Sequence, residues 1–410
     1  MPDFFDALET RSAEERERDL MARLPQQIAY AKSKSPYFAG VLADVDAARI
    51  NSRAALASLP VLRKHELIEL QKAQRPFGGL VARPYGELAR VFSSPGPIYE
   101  PEGRCADYWR TARALYAAGF RAGDLVHNSF SYHMTPGAWI LEGGALALGC
   151  SVFPGGVGQT EQQVAAMADL APNGYVGTPS FLRILLEKAD EMNVRLPSLI
   201  KALVSGEAFL PPVRDALRAR GIEGYQAYAT ADLGVIAYET AAREGLVVDE
   251  GVIVEIVRPG SGDPVAVGEV GEVVVTTFNA DYPLIRFGTG DLSAVLPGCS
   301  PCGRTNVRIR GWLGRADQTT KVKGMFVHPE QVDAIVKRHA GLTKARLVVT
   351  NDNAIDSMTL HCEANDDPTL ASAITETLRD VTKLRGEVRL VPPGSLPNDG
   401  KVIEDARKFD

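Results

Sequence analysis

The chain has 410 residues, of which 45% are hydrophobic and 23% are charged, a balance typical of an ordinary soluble globular protein. Its length predicts two or three core-forming units. A formal net charge of −6 gives no reason to expect nucleic acid or an anionic membrane as a partner. No apolar run approaches the ~20 residues that span a bilayer. Five cysteines do not describe a disulfide framework, so we expect a cytoplasmic protein.

Several stretches show the periodicity of regular structure. Residues 3–35 carry apolar side chains at helical spacing and predict a pair of helices, and residues 104–120 predict one amphipathic helix. Between residues 125 and 220, short apolar strands alternate with helices, which predicts a parallel sheet with helices on both faces. Residues 246–277 consist of strand-forming segments separated by turns. From residue 317 onward the pattern predicts a compact α+β unit.

The most informative stretch of the sequence runs from residue 283 to residue 324. An apolar strand there ends in small, turn-forming residues and then in Asp291, a carboxylate that can accept hydrogen bonds from two neighbouring hydroxyls, as in a ribose. Arg315 follows 24 residues later, and Lys321 and Lys323 come soon after it. One guanidinium and two ammonium groups near a ribose-sized site suit an adenylate.

The order of the motifs P-L-I-R-x-x-T-G-D, G-R-x-D and K-x-K-G resembles the adenylate-forming superfamily, and specifically its phenylacetate–coenzyme A ligase-like branch. The resemblance extends from about Pro60 to Lys401. It implies that ATP activates an aromatic carboxylic acid, of the arylacetic or benzoic type, to an acyl-AMP. A thiol then takes the acyl group, and this thiol is coenzyme A or a carrier-protein pantetheine. The oligomeric state stays open, with a homodimer among the options.

The same resemblance implies an α/β architecture with two domains. Residues 1–316 would form a large N-terminal domain with parallel sheets flanked by helices and a β-rich subdomain. Residues 317–410 would form a small, mobile α+β lid that turns about Asp317. Lys401, on a glycine turn near the C-terminus, matches the family's catalytic lysine, which neutralises charge on the reacting carboxylate and the α-phosphate. Rotation of the lid would remove that lysine and admit the pantetheine.

The expected nucleotide contacts lie on several segments. Ser205 directly follows a predicted strand, and ligands of parallel sheets gather at the carboxyl ends of strands. The resemblance implies an adenine-side wall there, a tyrosine near adenine at Tyr228, and a hydroxyl for the α-phosphate at Thr230. The full set of implied nucleotide contacts is Ser205, Gly206, Glu207, Tyr228, Ala229, Thr230, Asp291, Arg315 and Lys323.

The sequence contains two candidate metal sites. Asp232 stands where the family has a glutamate that binds Mg²⁺, and its carboxylate is a hard oxygen ligand, so it is predicted to serve catalysis and Mg²⁺ binding. Cys299 and Cys302 have the spacing of a metal knuckle. One C-x-x-C provides only two of the four ligands of a structural Zn²⁺, so we expect a plain turn with two thiols rather than zinc.

The segment that resembles the family's ATP phosphate loop is degenerate. Ser93, Ser94 and Gly96 remain as candidate phosphate contacts, but the loop has no lysine. Pro95 and Pro97 lack an N–H group that could point at a phosphate. This departure from the family pattern brings the use of ATP into question.

The pocket for the acid is expected at a segment that follows a predicted strand. Tyr132, His133, Thr135 and Trp139 combine aromatic faces, a small polar residue and an imidazole, which would suit a planar aromatic acid with a polar substituent. Ordinary core packing of Tyr132 and Trp139 is an equal alternative at this point. His133 has a weaker claim to face the ligand.

Two alternative functions follow from the same residues. The degenerate phosphate loop could mark an enzyme that moves an aromatic acyl group from acyl-AMP or acyl-CoA to another acceptor without using ATP. A non-catalytic binder of adenylates or coenzyme A belongs to a different class. Retention of Lys401, Asp291 and Arg315 argues against such a binder, because binding alone needs no lysine near the C-terminus.

Overall fold

The structure, a computed structural model, describes residues 4–316, 318, 320–322, 325–352, 355–365 and 367–407. The α-helices of this part of the chain are α1 (Ala13–Lys34), α2 (Pro36–Val41), α3 (Arg53–Ala57), α4 (Leu67–Ala73), α5 (Ala112–Ala117), α6 (Gly137–Leu148), α7 (Thr160–Leu170), α8 (Pro179–Glu191), α9 (Pro211–Ala219), α10 (Pro329–Arg338) and α11 (Pro368–Thr382). None of them is long and apolar enough to cross a membrane.

The strands before residue 250 are β1 (Leu62–Arg63), β2 (Arg90–Ser94), β3 (Ile98–Glu102), β4 (Leu125–Asn128), β5 (Ser151–Pro154), β6 (Gly174–Gly177), β7 (Lys201–Val204), β8 (Glu223–Thr230), β9 (Gly234–Glu239) and β10 (Leu246–Val248). The later strands are β11 (Val252–Val257), β12 (Gly271–Thr277), β13 (Phe287–Ser293), β14 (Val295–Leu296), β15 (Arg308–Ile309), β16 (Thr320–Val322), β17 (Met325–Val327), β18 (Lys344–Asp352), β19 (Ile355–Glu363), β20 (Glu387–Val391) and β21 (Ile403–Asp405).

The N-terminal segment forms one long helix instead of the predicted pair. Residues Ala7–Thr10 make a single 3₁₀ turn, and α1 begins after Ser12, whose hydroxyl accepts a hydrogen bond from the N–H of Glu15. The Glu15 carboxylate in turn accepts from the N–H of Ser12, which completes a capping box. The prediction of two helices was therefore wrong, because this box starts one continuous helix.

The predicted helix over residues 104–120 is also wrong in its first half. Asp107 and Arg110 have φ values of 49° and 61°, and L-residues do not continue a right-handed helix in that region. The Asp107 carboxylate accepts hydrogen bonds from the N–H groups of Thr111 (2.7 Å) and Ala112 (3.1 Å), so α5 begins only there. Burial of this carboxyl raises its pKa to about 6.

A nine-stranded sheet in the order β14-β15-β10-β9-β8-β7-β6-β4-β5 confirms the predicted α/β fold class. The five strands from β8 to β5 pair in parallel, and β9 and β10 add antiparallel strands. Successive residues belong to different cores: Tyr175 and Ala202 pack in one apolar cluster, and Val176 and Leu203 pack in another. Both faces of the parallel sheet are therefore covered, as the predicted strand–helix alternation requires.

A four-stranded sheet has the order β1-β13-β12-β11. The short strand β1 runs parallel to β13, with Leu62 opposite Phe287. Arg286, which precedes β13, is fully buried and donates hydrogen bonds to the carbonyls of Ala57 and Leu59. This motif arginine thus fixes the segment that leads into β1, and Lys64 follows β1 directly.

The chain folds as two compact units. The first contains the chain up to Val254, Val275–Thr289 and Leu296–Trp312, and the second contains Glu255–Val274, Gly290–Val295 and the chain from Leu313 onward. Strand β13 passes from the first unit to the second between Thr289 and Gly290. The expected domain division at residues 316 and 317 stays a prediction.

The second unit includes the predicted C-terminal α+β structure. Its sheet has the order β20-β19-β18-β21, and its core contains Val332 and Ile335 of α10, Ile374 and Leu378 of α11, and apolar residues of β18 and β19. A long antiparallel pair, β18 with β19, joins two parallel pairs at its edges. These helices and strands confirm the elements that the sequence predicts there.

Candidate active site

The carboxyl ends of the parallel strands bring together the expected adenine-side residues. Ser205 follows β7, and its hydroxyl donates a hydrogen bond to the carbonyl of Ala227 in β8 (2.8 Å). Gly206 has a φ of 80°, a conformation that favours glycine. Glu207 is exposed and accepts a hydrogen bond from the hydroxyl of Ser180 (2.9 Å). Ser205 thus fixes two strand ends, whereas Glu207 lies at the surface.

Strand β8 and strand β13 meet through two hydroxyls. The buried Tyr228 donates a hydrogen bond to Oγ1 of Thr289, at 3.1 Å. The pairing of β8 with β9 is irregular between Tyr228 and Ala229, which bends the strand at the predicted adenylate contacts. The hydroxyl of Thr230 accepts from the N–H of Leu233 (3.2 Å), so it closes the turn that carries Asp232.

Asp232 is buried and paired with a lysine that the sequence analysis missed. Its Oδ2 lies 2.5 Å from Nζ of Lys64, and the side chain of Lys64 is 24% exposed. Oδ1 of Asp232 is buried and accepts no hydrogen bond from the described residues. The parallel pairing of β1 with β13 places Lys64 near Asp232. No local motif around Lys64 predicts this ion pair.

The phosphate-loop segment forms a tight hairpin of β2 and β3. The N–H of Ser93 donates to the carbonyl of Met134 (2.8 Å), and Ser94 donates its hydroxyl and, at 3.3 Å, its N–H to Glu100. Gly96 lies in the exposed turn. The N–H of Ser93 and both donors of Ser94, which were expected to meet phosphate oxygens, are therefore occupied within the protein.

Glu100 is a second carboxyl group that the sequence analysis missed. It is completely buried, and this burial, together with repulsion from Asp232, raises its pKa to about 7, although Ser94 and Lys64 act in the opposite direction. We call Lys64, Asp232, Glu100 and Ser94 the buried charge cluster. It places one ammonium and two carboxyl groups at the expected phosphate end of the site.

In the second unit, Asp291 and Arg315, two of the predicted nucleotide contacts, form an ion pair. Nη1 of Arg315 donates to Oδ1 of Asp291 at 2.8 Å, and the two residues also form a backbone bridge. The side chain of Asp291 is 12% exposed and that of Arg315 is 52% exposed. Gly290 has a φ of 72°, and a Cβ there would lie 2.6 Å from Nη2 of Arg315. The glycine therefore leaves room for the guanidinium.

Lys401 is exposed on the C-terminal part of the second unit. Its N–H donates to Oδ1 of Asp399 (3.1 Å), and its carbonyl accepts from Nε of Arg346 (3.1 Å). The backbone of the expected catalytic lysine is thus held while its side chain extends from the surface. Asp317 and Lys323, the expected hinge and a further nucleotide contact, lie outside the described residues, so their roles stay predictions.

A cavity of about 310 Å³ in the first unit lies beside two of the four residues expected to form the acid pocket. It is lined by Tyr132, His133 and the loop from Pro154 to Val157. The Tyr132 hydroxyl donates to Glu142 (2.6 Å) and accepts from the amide of Asn128 (3.0 Å). The segment of residues 154–157, here called the glycine loop because it contains Gly155 and Gly156, therefore contributes to the same cavity.

Trp139 does not line this cavity in the described structure but supports it. Its ring meets that of Tyr132 edge to face at 5.2 Å, and the guanidinium of Arg90 lies 3.9 Å from the indole. The ring also packs against the apolar core. The N–H of Thr135 donates to the carbonyl of His133 (2.6 Å), which shapes the turn.

The two knuckle cysteines are free thiols. Cys302 lies 3.0 Å from the hydroxyl of Ser300 and accepts a hydrogen bond from Arg304 (3.6 Å). Burial by itself would raise the pKa of the Cys302 thiol, but hydrogen bonds from Ser300, Thr240 and Arg304 together lower it. No cluster of three or more metal-ligating side chains occurs among the residues that the structure describes.

Comparison with known proteins defines the class. The sequence model of the AMP-binding enzyme family matches residues 107–279, and that of the AMP-binding enzyme C-terminal domain matches residues 324–407. Together the two matches cover more than half of the chain, which belongs to the adenylate-forming AMP-binding enzymes. The chain is accordingly an acid–thiol ligase by class.

Individual relatives narrow the branch. A phenylacetate–coenzyme A ligase of Thermus thermophilus is 29% identical over 431 aligned residues, which cover 94% of this chain and 95% of that protein. An enzyme of the same name from Escherichia coli K12 is 26% identical and covers 99% of this chain and 97% of its own length. These similarities confirm the resemblance of the chain to the phenylacetate–coenzyme A ligase-like branch.

Solved structures agree with this assignment. A 2-hydroxyisobutyryl-CoA ligase in the postadenylation state, in complex with R3-HIB-AMP, matches with a TM-score of 0.72 and 26% identity, covering 97% of this chain and 91% of that chain. The same ligase in the thioesterification state, in complex with 2-HIB-AMP and CoA, matches with a TM-score of 0.72 over 99% of this chain and 93% of that chain.

Proposed function

We propose that this ligase activates an aromatic carboxylic acid, of the arylacetic or benzoic type, with ATP and transfers the acyl group to coenzyme A. The observation that carries the ATP-dependent step is the position of Lys64. Its ammonium lies 2.5 Å from Asp232, at the expected phosphate end of the site. A lysine from the segment after β1 thus supplies the cation that the degenerate loop lacks, and it can exchange the carboxylate for a phosphate oxygen.

The reaction has two steps. A carboxylate oxygen of the acid attacks the α-phosphorus of ATP, the bond to the β-phosphate breaks, and pyrophosphate leaves. The coenzyme A thiolate then attacks the acyl carbon, and AMP leaves with the electron pair of the broken bond. In this scheme Lys401 offsets negative charge on the carboxylate and the α-phosphate, and Asp291 accepts hydrogen bonds from the ribose hydroxyls while Arg315 holds its carboxylate in place.

Asp232 fits the role of a magnesium ligand. Its Oδ1 is buried without a hydrogen bond from the described residues, and Mg²⁺ is commonly held by one or two carboxylates together with substrate phosphates. When bound, the ion would neutralise part of the phosphate charge. The ion pair of Asp232 with Lys64 would then weaken, and the Lys64 ammonium could bind a phosphate oxygen.

The acid class is supported by the cavity next to Tyr132. Its aromatic ring and the glycine loop provide flat and small surfaces, and the curated relatives are phenylacetate–coenzyme A ligases. An aromatic ring can pack against Tyr132, whose hydroxyl is fixed by Glu142 and Asn128. His133, exposed at the rim, is positioned for a polar substituent of the acid.

The test is acid-dependent release of pyrophosphate, measured with phenylacetate, benzoate and acetate, each with and without coenzyme A. Release that is faster with the aromatic acids and leads to acyl-CoA supports the proposal. Calorimetric titration of AMP and Mg·ATP on the wild type and on Lys64→Met then tests the lysine. The substitution should weaken ATP binding and leave AMP binding unchanged, and equal affinities for ATP would exclude Lys64 from the phosphate site.

One observation favours acyl transfer without ATP as the second candidate. Ser94 donates both its N–H and its hydroxyl to Glu100 and so offers neither to a phosphate in this arrangement. If the hairpin keeps these bonds when ligands bind, the β- and γ-phosphates meet few donors. Tight AMP binding combined with no pyrophosphate release from any acid would favour this candidate over the ligase reaction.

A further inference from the structure

The side chain of Gln318 brackets the expected catalytic lysine from both sides. Its Nε2 donates to the carbonyl of Gly400 at 2.8 Å, and its Oε1 accepts from the N–H of Val402 and, at 2.8 Å, from the N–H of Ile403. Residues 398–403, here called the lysine segment, therefore share three hydrogen bonds with one amide, two of them donated by the segment and one accepted by it. Gln318 and the lysine segment both belong to the second unit.

This pattern of bonds requires an amide. One end of the side chain must donate and the other must accept two N–H groups, which only asparagine or glutamine can do at once. A glutamate would keep the two accepted bonds and lose the donated one. A methionine of similar length would lose all three, so substitutions at this position can separate shape from hydrogen bonding.

Other contacts hold the lysine segment at its remaining polar groups. The Arg346 guanidinium donates to the Lys401 carbonyl (3.1 Å) and pairs with Asp399, whose Oδ1 accepts from the Lys401 N–H (3.1 Å). Oδ1 of Asn398 accepts from the N–H of Val270 (3.1 Å). Gln318 therefore completes a set of bonds that fixes the backbone on both sides of Lys401.

The place of Gln318 in the sequence gives these bonds a functional meaning. It directly follows Asp317, the expected hinge residue, and lies 83 positions before Lys401. We propose that Gln318 is a positioning residue for acyl-adenylate formation, which sets the backbone of Lys401 from the residue next to the hinge. This inference rests on the proposed role of Lys401 in the first half-reaction.

Two half-reactions separate a positioning role from a merely structural one. Pyrophosphate release in a single turnover measures the formation of acyl-AMP. Thioester formation is measured separately, starting from synthetic phenylacetyl-AMP and coenzyme A. Gln318→Ala should slow the first reaction by about 10- to 100-fold, since small misplacements of a catalytic group have effects of this size. The second reaction should stay within about twofold, because Lys401 acts only in the first.

Matched variants sharpen the result. Gln331 likewise bridges two backbone groups in the second unit, the N–H of His328 and the carbonyl of Val381, so Gln331→Ala removes a similar number of bonds elsewhere. That variant should retain both half-reactions. Gln318→Glu should be less impaired than Gln318→Met, since it still accepts two N–H groups. If Gln318→Ala folds poorly, the comparison of these two variants carries the test.

The outcomes distinguish this inference from the function on which it rests. If Lys401→Ala forms acyl-AMP at the wild-type rate, the proposed function of that lysine fails. If Lys401→Ala is slow but every Gln318 variant is normal, or slows both half-reactions equally, the positioning role is overturned. If it is correct, Gln318→Ala combined with Lys401→Ala should be no slower than Lys401→Ala alone, because Gln318 acts through the lysine.

Discussion

The two units carry charged residues of the candidate site in opposite settings. In the first unit, the buried charge cluster places Asp232 and Glu100 almost entirely out of water, with Lys64 as their cation. In the second unit, Arg315 is half exposed beside Asp291, and Lys401 extends from the surface. Burial in the folded core fixes the first arrangement. In the second, a backbone bridge holds Asp291 next to Arg315.

This difference implies that the two regions respond differently to substitution. A buried charge that loses its partner keeps the full desolvation cost, so a change in the buried charge cluster should affect folding as well as binding. In the Arg315–Asp291 pair the guanidinium is half exposed, so water solvates it and the pair contributes less to stability. Changes at Asp291 or Arg315 should therefore affect ligands more than folding.

The largest expected effect follows from removing the lysine of the buried charge cluster. Lys64→Met should lower the free energy of unfolding by about 3 kcal/mol, because it leaves a buried carboxylate without its cation. Urea denaturation at pH 7.5 measures this. Lys64→Arg keeps the charge and serves as the control, and the double substitution with Asp232→Asn should recover most of the lost stability. Full stability of Lys64→Met alone would show that burial does not distinguish the two regions.

The next effect concerns the ribose end of the site. Asp291→Ala should weaken AMP binding by roughly 1.5–3 kcal/mol, the value of hydrogen bonds to a charged group, which corresponds to a tenfold or larger rise in Kd. Its stability should change much less than that of Lys64→Met. Asp263→Ala, at an exposed carboxylate of the same unit, is the control. An unchanged Kd for AMP in calorimetry would remove Asp291 from the site.

A smaller effect separates backbone strain from site geometry. Gly290 and Gly298 both have a φ of 72°, but a Cβ at Gly290 would meet Arg315 while one at Gly298 meets nothing within 4 Å. Alanine at either position should lower the free energy of unfolding by about 1 kcal/mol, because a residue with a Cβ is strained in the left-handed conformation. Only Gly290→Ala should also weaken AMP binding. Loss of AMP affinity in both variants would contradict the role assigned to the guanidinium.

The last effect is a pH dependence of stability within the buried charge cluster. Because the pKa of Glu100 is raised to about 7 in the folded protein, the folded state binds its proton more tightly than the unfolded state. Stability from this group is therefore present at low pH and is lost as pH rises from about 4.5 to about 7. Glu100→Gln cannot titrate, so it should gain stability relative to the wild type across that window.

Urea denaturation at pH 5, 6, 7 and 8 would follow this gain, with Glu161→Gln as the control at an exposed position. The difference between Glu100→Gln and the wild type should grow with pH and then level off. A difference that does not vary with pH would mean that Glu100 ionises normally. Burial would then not distinguish Glu100 from the exposed charges of the second unit.

The sequence predicted well what depends on local pattern. The parallel sheet, the C-terminal α+β unit and the position of Asp291 before Arg315 all follow from periodicity and from motifs whose residues are close along the chain. The acid pocket expected around Tyr132 stays a prediction, although a cavity lies beside that residue. In each case the physical cause, such as alternation along a strand or a turn after it, lies within a few residues.

The sequence could not predict contacts that depend on tertiary pairing. Lys64 reaches Asp232 only because β1 pairs with β13, and Glu100 is buried only because its hairpin packs inward. The prediction of a helix over residues 104–120 was wrong because Asp107 and Arg110 adopt positive φ values, which the spacing of apolar residues does not show. The contacts of Gln318 likewise join segments that are more than 80 positions apart.

The glycine loop beside Tyr132 determines where substrate range can change. A side chain at Gly155 would collide with the His127 ring, 2.7 Å away, and with Gln163, and the φ of 68° at Gly156 also resists other residues. Val157 lines the same cavity and is 57% exposed, so its side chain supports no core. Diversifying selection or laboratory evolution toward bulkier or smaller acids can therefore act at Val157, while the two glycines stay constant.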